Sequence, residues 1–113
     1  MTFYALRNSN TYGARYSFEC DGVDVGSVVL LRSDNPTGRV LEIWSLEVWP
    51  EYRRLGHGRA MMRAIVAHAQ STECKRAWLR VNKDNVKAIE LYRTEGFKIV
   101  GERHHDFEME RYV

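Results

Sequence analysis

Residues 46–60 read LEVWPEYRRLGHGRA, and this stretch carries the strongest chemical signal in the chain. An extended segment ends at Val48, and Pro50 breaks it. Arginines and glycines then lead straight into a helical pattern. The first turn of a helix carries N–H groups without intrahelical partners, and the macrodipole adds partial positive charge there. Gly56 and Gly58 have no Cβ, so an anion can approach the backbone closely. Arg53, Arg54 and Arg59 add full charges nearby. Together these features predict a site for a phosphate or pyrophosphate. Two rival phosphate motifs fail. A P-loop needs Gly-Lys-Ser/Thr, and here the loop ends Gly58, Arg59, Ala60, with no hydroxyl for magnesium. A dinucleotide fingerprint needs a third glycine where Met61 stands. The structural alternative is a glycine turn capping a surface helix, with its arginines in solvent.

The elements around this loop follow from hydrophobic period. Residues 2–7 read as a short strand, and residues 8–13 are polar and turn-rich. Tyr16 and Phe18 alternate through residues 14–20, and Asp21-Gly22 signals a hairpin into the β-branched residues 23–32. A turn cluster at residues 33–38 precedes a third long strand over residues 39–48. From 56 to 70 the period becomes helical, with Ala60, Met61, Ala64, Ile65, His68 and Ala69 on one face. Residues 75–81 return to a strand, residues 85–95 to a helix that Gly96 ends, and residues 97–100 and 107–113 to strands. The expected fold class is α+β, a mixed, mostly antiparallel sheet with two main helices.

Composition narrows the function classes. With 113 residues the chain is expected to form a single domain, 1–113. A formal charge of +2 is too mild to argue for nucleic acid, so no nucleic-acid partner is expected. No apolar run approaches membrane-spanning length, so no membrane partner is expected, and the first residues lack a signal-peptide pattern. Cys20 and Cys74 lack metal-ligand spacing and read as reduced thiols, which points to the cytoplasm. His104 and His105 adjoin, yet no third ligand is suitably spaced, so no metal is expected. Trp44, Trp49 and Trp78 read as core or cleft-lining residues.

Two motifs together carry a family resemblance. Gln/Arg-x-x-Gly-x-Gly/Ala is matched by Arg53, Arg54, Leu55, Gly56, His57 and Gly58, preceded by Leu46, Val48 and Pro50 in a Leu-x-Val-x-Pro pattern. Asn-x-x-Ala-x-x-Leu-Tyr-x-x-x-Gly-Phe is matched by Asn85, Ala88, Leu91, Tyr92, Gly96 and Phe97. In this order and at this separation they resemble the GNAT family of N-acetyltransferases, from about residue 23 onward. The resemblance implies a sheet whose two central parallel strands, 39–48 and 75–81, splay apart around acetyl-CoA. By the same resemblance the backbone of Leu46, Glu47 and Val48 would pair with the pantetheine arm, and the Val48 N–H would polarise the thioester carbonyl. Amides from Arg54 to Arg59 would hold the pyrophosphate. Asn85 would contact the pantetheine, and Tyr92 would stand near the sulfur. Family members usually carry two helices between the first two strands. Here only residues 8–13 lie there, which predicts an open acceptor side, completed by a second chain in a homodimer or suited to a bulky acceptor.

The chemistry then asks for a base and an acid. An amine resembling lysine is mostly protonated at neutral pH and attacks a thioester only when neutral. Glu42 is the candidate base, because residues 42, 44, 46 and 48 share one face by a period of two, with Glu47 on the other. Similar glutamates serve histone-acetylating members of the family. Glu108 and Glu110 are further carboxylates able to reach an acceptor. Tyr92 is the candidate acid for the leaving thiolate. The expected function is transfer of an acetyl group from acetyl-CoA to an amine of a protein or small molecule. A non-catalytic acyl-CoA-binding module is the alternative and differs in predicting no thiol release. A small nucleic-acid-binding protein using Arg53, Arg54, Arg59 and Arg63 would instead show salt-dependent affinity.

Overall fold

The computed structural model describes residues 2–8 and 14–113. Strands β1 (Tyr4–Asn8), β2 (Arg15–Cys20), β3 (Val23–Asn35) and β4 (Gly38–Val48) come first. A 3-10 turn at Pro50–Tyr52, helix α1 (His57–Ser71), β5 (Arg76–Asn82), α2 (Val86–Thr94), β6 (Lys98–Arg103) and β7 (Asp106–Tyr112) follow. One seven-stranded sheet runs in the order β1-β2-β3-β4-β5-β7-β6. Among the described residues only β4 and β5 pair in parallel, as a strand–helix–strand crossover requires, and the other pairs are antiparallel. The expected α+β mixed sheet is the sheet found. Among the described residues no helix precedes β2, and most of the turn-rich segment expected there, residues 9–13, lies outside them.

Local chemistry explains the turns. Asp21 and Gly22 take φ of 51° and 84°, the pair of positive values that a tight hairpin between Cys20 and Val23 needs. The second hairpin corrects the sequence reading. The turn cluster at 33–38 is narrower than expected, because β3 continues to Asn35, where Asn35↔Gly38 closes the ladder. The Asn35 Oδ1 accepts from the Thr37 N–H at 3.1 Å and from its hydroxyl at 2.6 Å, so the side chain builds the turn inside two residues. An Arg39–Asp34 contact of 2.8 Å lies across the extended ladder.

Both helices lie on one face. Met61, Met62, Ile65, Val66 and Ala69 of α1 and Tyr92 of α2 join Phe18, Val28, Leu41, Ile43, Leu79 and Met109 in one buried core. Burying side chains of this kind stabilises by about 1.5–3 kcal/mol each. Among the described residues no helix covers the opposite face, which carries Leu31, Glu42, Trp44, Trp78, Arg80 and Glu110 by strand alternation.

β4 does not keep one period along its length. Val29 pairs with Trp44 and Ser27 with Glu47, so β4 holds a bulge at Ser45 and Leu46, where Ser45 takes φ of 51°. The expectation that residues 42, 44, 46 and 48 share a face is therefore overturned. The extra residue moves Leu46 and Val48 to the helix side, where they pack on the core, and returns Glu47 to the face of Glu42 and Trp44.

Candidate functional site

The parallel ladder between β4 and β5 stops early. It runs from Val40↔Arg76 to Ile43↔Leu79, and beyond that point β4 pairs with β3 alone while β5 pairs with β7. The strands open into a wedge just where the bulge falls. The Trp49 N–H donates to the Val25 carbonyl at 2.9 Å, which makes Gly26↔Val48 the widely bonded pair. Val48 therefore turns its own N–H and carbonyl away from β3, toward the wedge. Its carbonyl oxygen accepts from the Arg53 Nε at 2.8 Å, leaving the N–H free to meet a ligand.

The loop beyond β4 presents amides to the same place. Arg54 takes φ of 65° and Gly56 φ of 83°, so the chain curls before α1 begins at His57. The first backbone bond of the helix is Ala60 N–H to the Gly56 carbonyl, at 3.2 Å. The N–H groups of residues 54–59 donate to no protein oxygen among the described residues. Of these residues Arg54, Gly56, His57 and Gly58 line a cleft of about 370 Å³, with Leu46, Val48, Asn85 and Tyr92. At Gly58 an added Cβ would come within 3.3 Å of the Leu91 side chain, so glycine there lets the two helices meet at the cleft floor. The His57 ring stands edge-on to Tyr4 and Tyr52, with its Nδ1 buried and unpartnered among the described residues.

The arginines divide. Arg54 is exposed and makes no hydrogen bond or ion pair among the described residues, so its charge is free for an anion. Arg53 bridges to Val48 and lies 3.8 Å from Glu47. Arg59 corrects the sequence reading: its guanidinium is held by Glu95 at 2.6 Å and by Thr94 at 3.0 Å, tying α1 to the end of α2. Arg63 holds the same carboxylate at 2.9 Å. The Arg63 hydrogen bond, opposed by burial and helped by Arg59, keeps the Glu95 carboxyl below its ordinary range.

Tyr92 lines the cleft, and its hydroxyl has no partner among the described residues. Burial pushes the phenol above its usual value near 10, because an anion there would lose its solvent. Asn85 caps α2, its Oδ1 accepting from the Ala88 N–H at 3.3 Å, so the second motif's asparagine also fixes where that helix starts.

A family model for the acetyltransferase (GNAT) family matches residues 2–97. The chain belongs to the GNAT acetyltransferase family. It is 37% identical over 71 residues to the spermine/spermidine N(1)-acetyltransferase of Bacillus subtilis strain 168, covering 61% of this chain and 45% of that one. It is 33% identical over 94 residues to the spermidine N(1)-acetyltransferase of Escherichia coli K12, covering 82% and 50%. The chain thus spans about half the length of the curated relatives it matches. Among solved structures, a GNAT family acetyltransferase from Elizabethkingia anophelis with acetyl-CoA bound shares the fold at a TM-score of 0.79. That match has 11% identity and covers 99% and 98% of the two chains.

In this GNAT chain the residues expected to hold the cofactor gather at one cleft. Leu46, Glu47, Val48, Arg53, Arg54, Gly56, His57, Gly58, Asn85 and Tyr92 all line it. Leu55, 64% exposed, projects outward from the loop. The candidate base lies elsewhere. Glu42 lines a second cavity of about 310 Å³ on the uncovered face, with Trp78, Arg76 and Glu110, and accepts from the Trp44 Nε1 at 3.0 Å. Tyr92 and Glu42 are thus separated by the sheet itself. Sequence reasoning missed Ser45, Arg80 and Asn82, which line the wedge between the strands. Strand alternation sets Arg80 apart from its core neighbours, but nothing in the sequence marks where the ladder ends. Among the described residues no group of side chains could hold a metal ion, and no helix is long and apolar enough to cross a membrane.

Proposed function

We propose that this chain transfers an acetyl group from acetyl-CoA to an amine of a protein or small molecule. The observation that carries the reading is the run of N–H groups at residues 54–59 without a protein acceptor among the described residues, with Arg54, Gly56, His57 and Gly58 lining a cleft beside the splayed strands. Such amides, with the α1 dipole behind them and Arg54 free beside them, fit a diphosphate. Acetyl-CoA bound there supplies an activated thioester. The chain's residues do the rest. The Val48 N–H is set to stabilise negative charge growing on a carbonyl oxygen in the wedge. Tyr92, kept protonated by burial, is placed to donate to a departing thiolate. Glu42 on the uncovered face takes the amine's proton, with water bridging the distance, and Glu47 joins it there because of the bulge. The bulge and wedge let donor and acceptor meet from opposite faces of one sheet.

The free thiols Cys20 and Cys74 support a reducing compartment, and we place the reaction in the cytoplasm. A homodimer closing over the uncovered face is the assembly this reading favours, and sedimentation velocity tests it. Isothermal titration with CoA tests the cleft directly. Binding to the wild type and a loss of affinity in Arg53→Glu/Arg54→Glu are expected. Thiol release should then follow when acetyl-CoA is supplied with polyamines, amino sugars or lysine peptides. Absence of CoA binding would refute the assignment, and CoA binding without thiol release on any amine would leave only a binding module.

A further inference from the structure

Helix α2 carries the candidate acid, yet it is shallowly seated. Of its nine residues only Tyr92 is buried. A helix this short is marginal on propensity alone and takes its place from its contacts. The Asn85 cap fixes its first turn. Three arginines fix its last. Arg59 and Arg63 of α1 donate to the two oxygens of the Glu95 carboxylate, at 2.6 and 2.9 Å. Arg59 donates as well to the Thr94 hydroxyl at 3.0 Å, and Arg111 of β7 donates to the Glu95 carbonyl at 2.8 Å. Cations suit this end of a helix, where the carbonyls gather negative charge.

Stability alone is a poor reason for this clasp. The Glu95 side chain is 8% exposed. Taking a carboxylate out of water is unfavourable, and the attraction of its partners largely offsets that loss rather than exceeding it. What the clasp does supply is a fixed geometry, and it joins the two halves of the site. Arg59 ends the run of amides at 54–59, and Glu95 follows Tyr92 by one helical turn. The Tyr92 carbonyl accepts from the Glu95 N–H at 3.2 Å and from the Phe97 N–H at 2.9 Å, so a shift of Glu95 passes to Tyr92 through the backbone. The cleft lining includes Tyr92 and the glycine loop but none of Arg59, Arg63 and Glu95.

We propose that Glu95, gripped by Arg59 and Arg63, is a positioning residue for the transfer step. It holds the Tyr92 hydroxyl at a set distance from the amides that seat the cofactor, and it acts through Tyr92 rather than on the reacting atoms. This rests on the acetyl-transfer reading of the cleft and adds what places its acid.

The test separates positioning from folding. Glu95→Gln keeps the size of the side chain and removes its charge. Arg63→Met removes one of the two grips at a side chain that is 69% exposed. Each substitution is made in the wild type and in Tyr92→Phe. CoA affinity is titrated, and kcat is measured with acetyl-CoA on whichever of spermidine, an amino sugar and a lysine peptide the wild type acetylates fastest. In the wild-type background Glu95→Gln should lower kcat about tenfold and Arg63→Met about threefold, with CoA affinity within about twofold, as a small misplacement of a catalytic group does. In the Tyr92→Phe background both should change kcat by less than about twofold, because no hydroxyl remains to be misplaced. Arg63→Lys, which keeps a cation for the carboxylate, should recover part of the loss. If Glu95→Gln does not fold, Arg63→Met and Arg63→Lys carry the same comparison. Equal losses in the two backgrounds, or an unchanged kcat in the wild-type background, overturn the proposal and leave the cleft reading intact. A wild type that fails to bind CoA, or that binds it and releases thiol on none of the three amines, overturns both.

Discussion

The two faces of the sheet are built from the same strands to opposite ends. Leu41 and Leu31 lie on neighbouring strands, one residue out of register, and therefore point to opposite sides. Leu41 is fully buried beneath the helices, whereas Leu31 is 43% exposed. The helix side holds the core, the loop amides and Tyr92. The uncovered side holds carboxylates, paired indoles and Arg80, with the Trp44 and Trp78 rings 5.1 Å apart. One face fixes the strands and lines the cleft, and the other has no helical cover among the described residues. The wedge, where the parallel ladder ends, lies between them.

That contrast can be broken or sharpened by experiment. The largest effect is expected from Tyr92→Phe, which should lower kcat by about 10²–10⁴ with CoA affinity retained, as loss of a general acid does. Any loss of wild-type turnover through ionisation of this donor should begin at a higher pH than for an ordinary tyrosine, because burial raises its pKa. The stability that the neutral phenol contributes is present below the unfolded value near 10 and is lost as pH rises through the folded one. Next come the leucines. Leu41→Ala should destabilise by about 2–5 kcal/mol in urea unfolding, and Leu31→Ala by less than about 1 kcal/mol. Equal costs would mean that something covers the open face in solution. Asn85→Ala should cost about 1 kcal/mol through the lost cap of α2, with a parallel fall in CoA affinity as the cleft wall loosens. The smallest effect concerns Glu95, whose folded pKa is depressed. Its contribution is present above the unfolded carboxylate pKa of about 4.3 and is lost as pH falls through the folded value. Glu95→Gln should therefore lower the melting temperature at neutral pH and converge on wild type as pH falls, flattening the acid limb of a plot of melting temperature against pH.

Much of the helix side was legible in the residues. Met61, Ile65 and Ala69 repeat at helical spacing, and they are the residues α1 buries. The glycine–arginine loop announces its amides because no side chain is needed to supply them. Asn85 and Gly96 mark the ends of α2 by their own chemistry, a side-chain cap and a φ of 94°. The uncovered side was legible only as far as the bulge. A strict period of two put Glu47 on the wrong face, since one added residue at Ser45 reverses every side chain after it. The partner of Arg59 was hidden for a related reason, because Glu95 lies 36 residues away and the packing of α2 on α1 brings it near.

The sequence alone settled the order of strands and helices, the loop of unpaired amides and the family, because these depend on local period, turn residues and short motifs. The tertiary structure alone decided where β4 and β5 part, which face Glu47 takes and what surrounds Arg80. Those outcomes depend on register and on contacts between residues far apart in the chain, and no local preference encodes them.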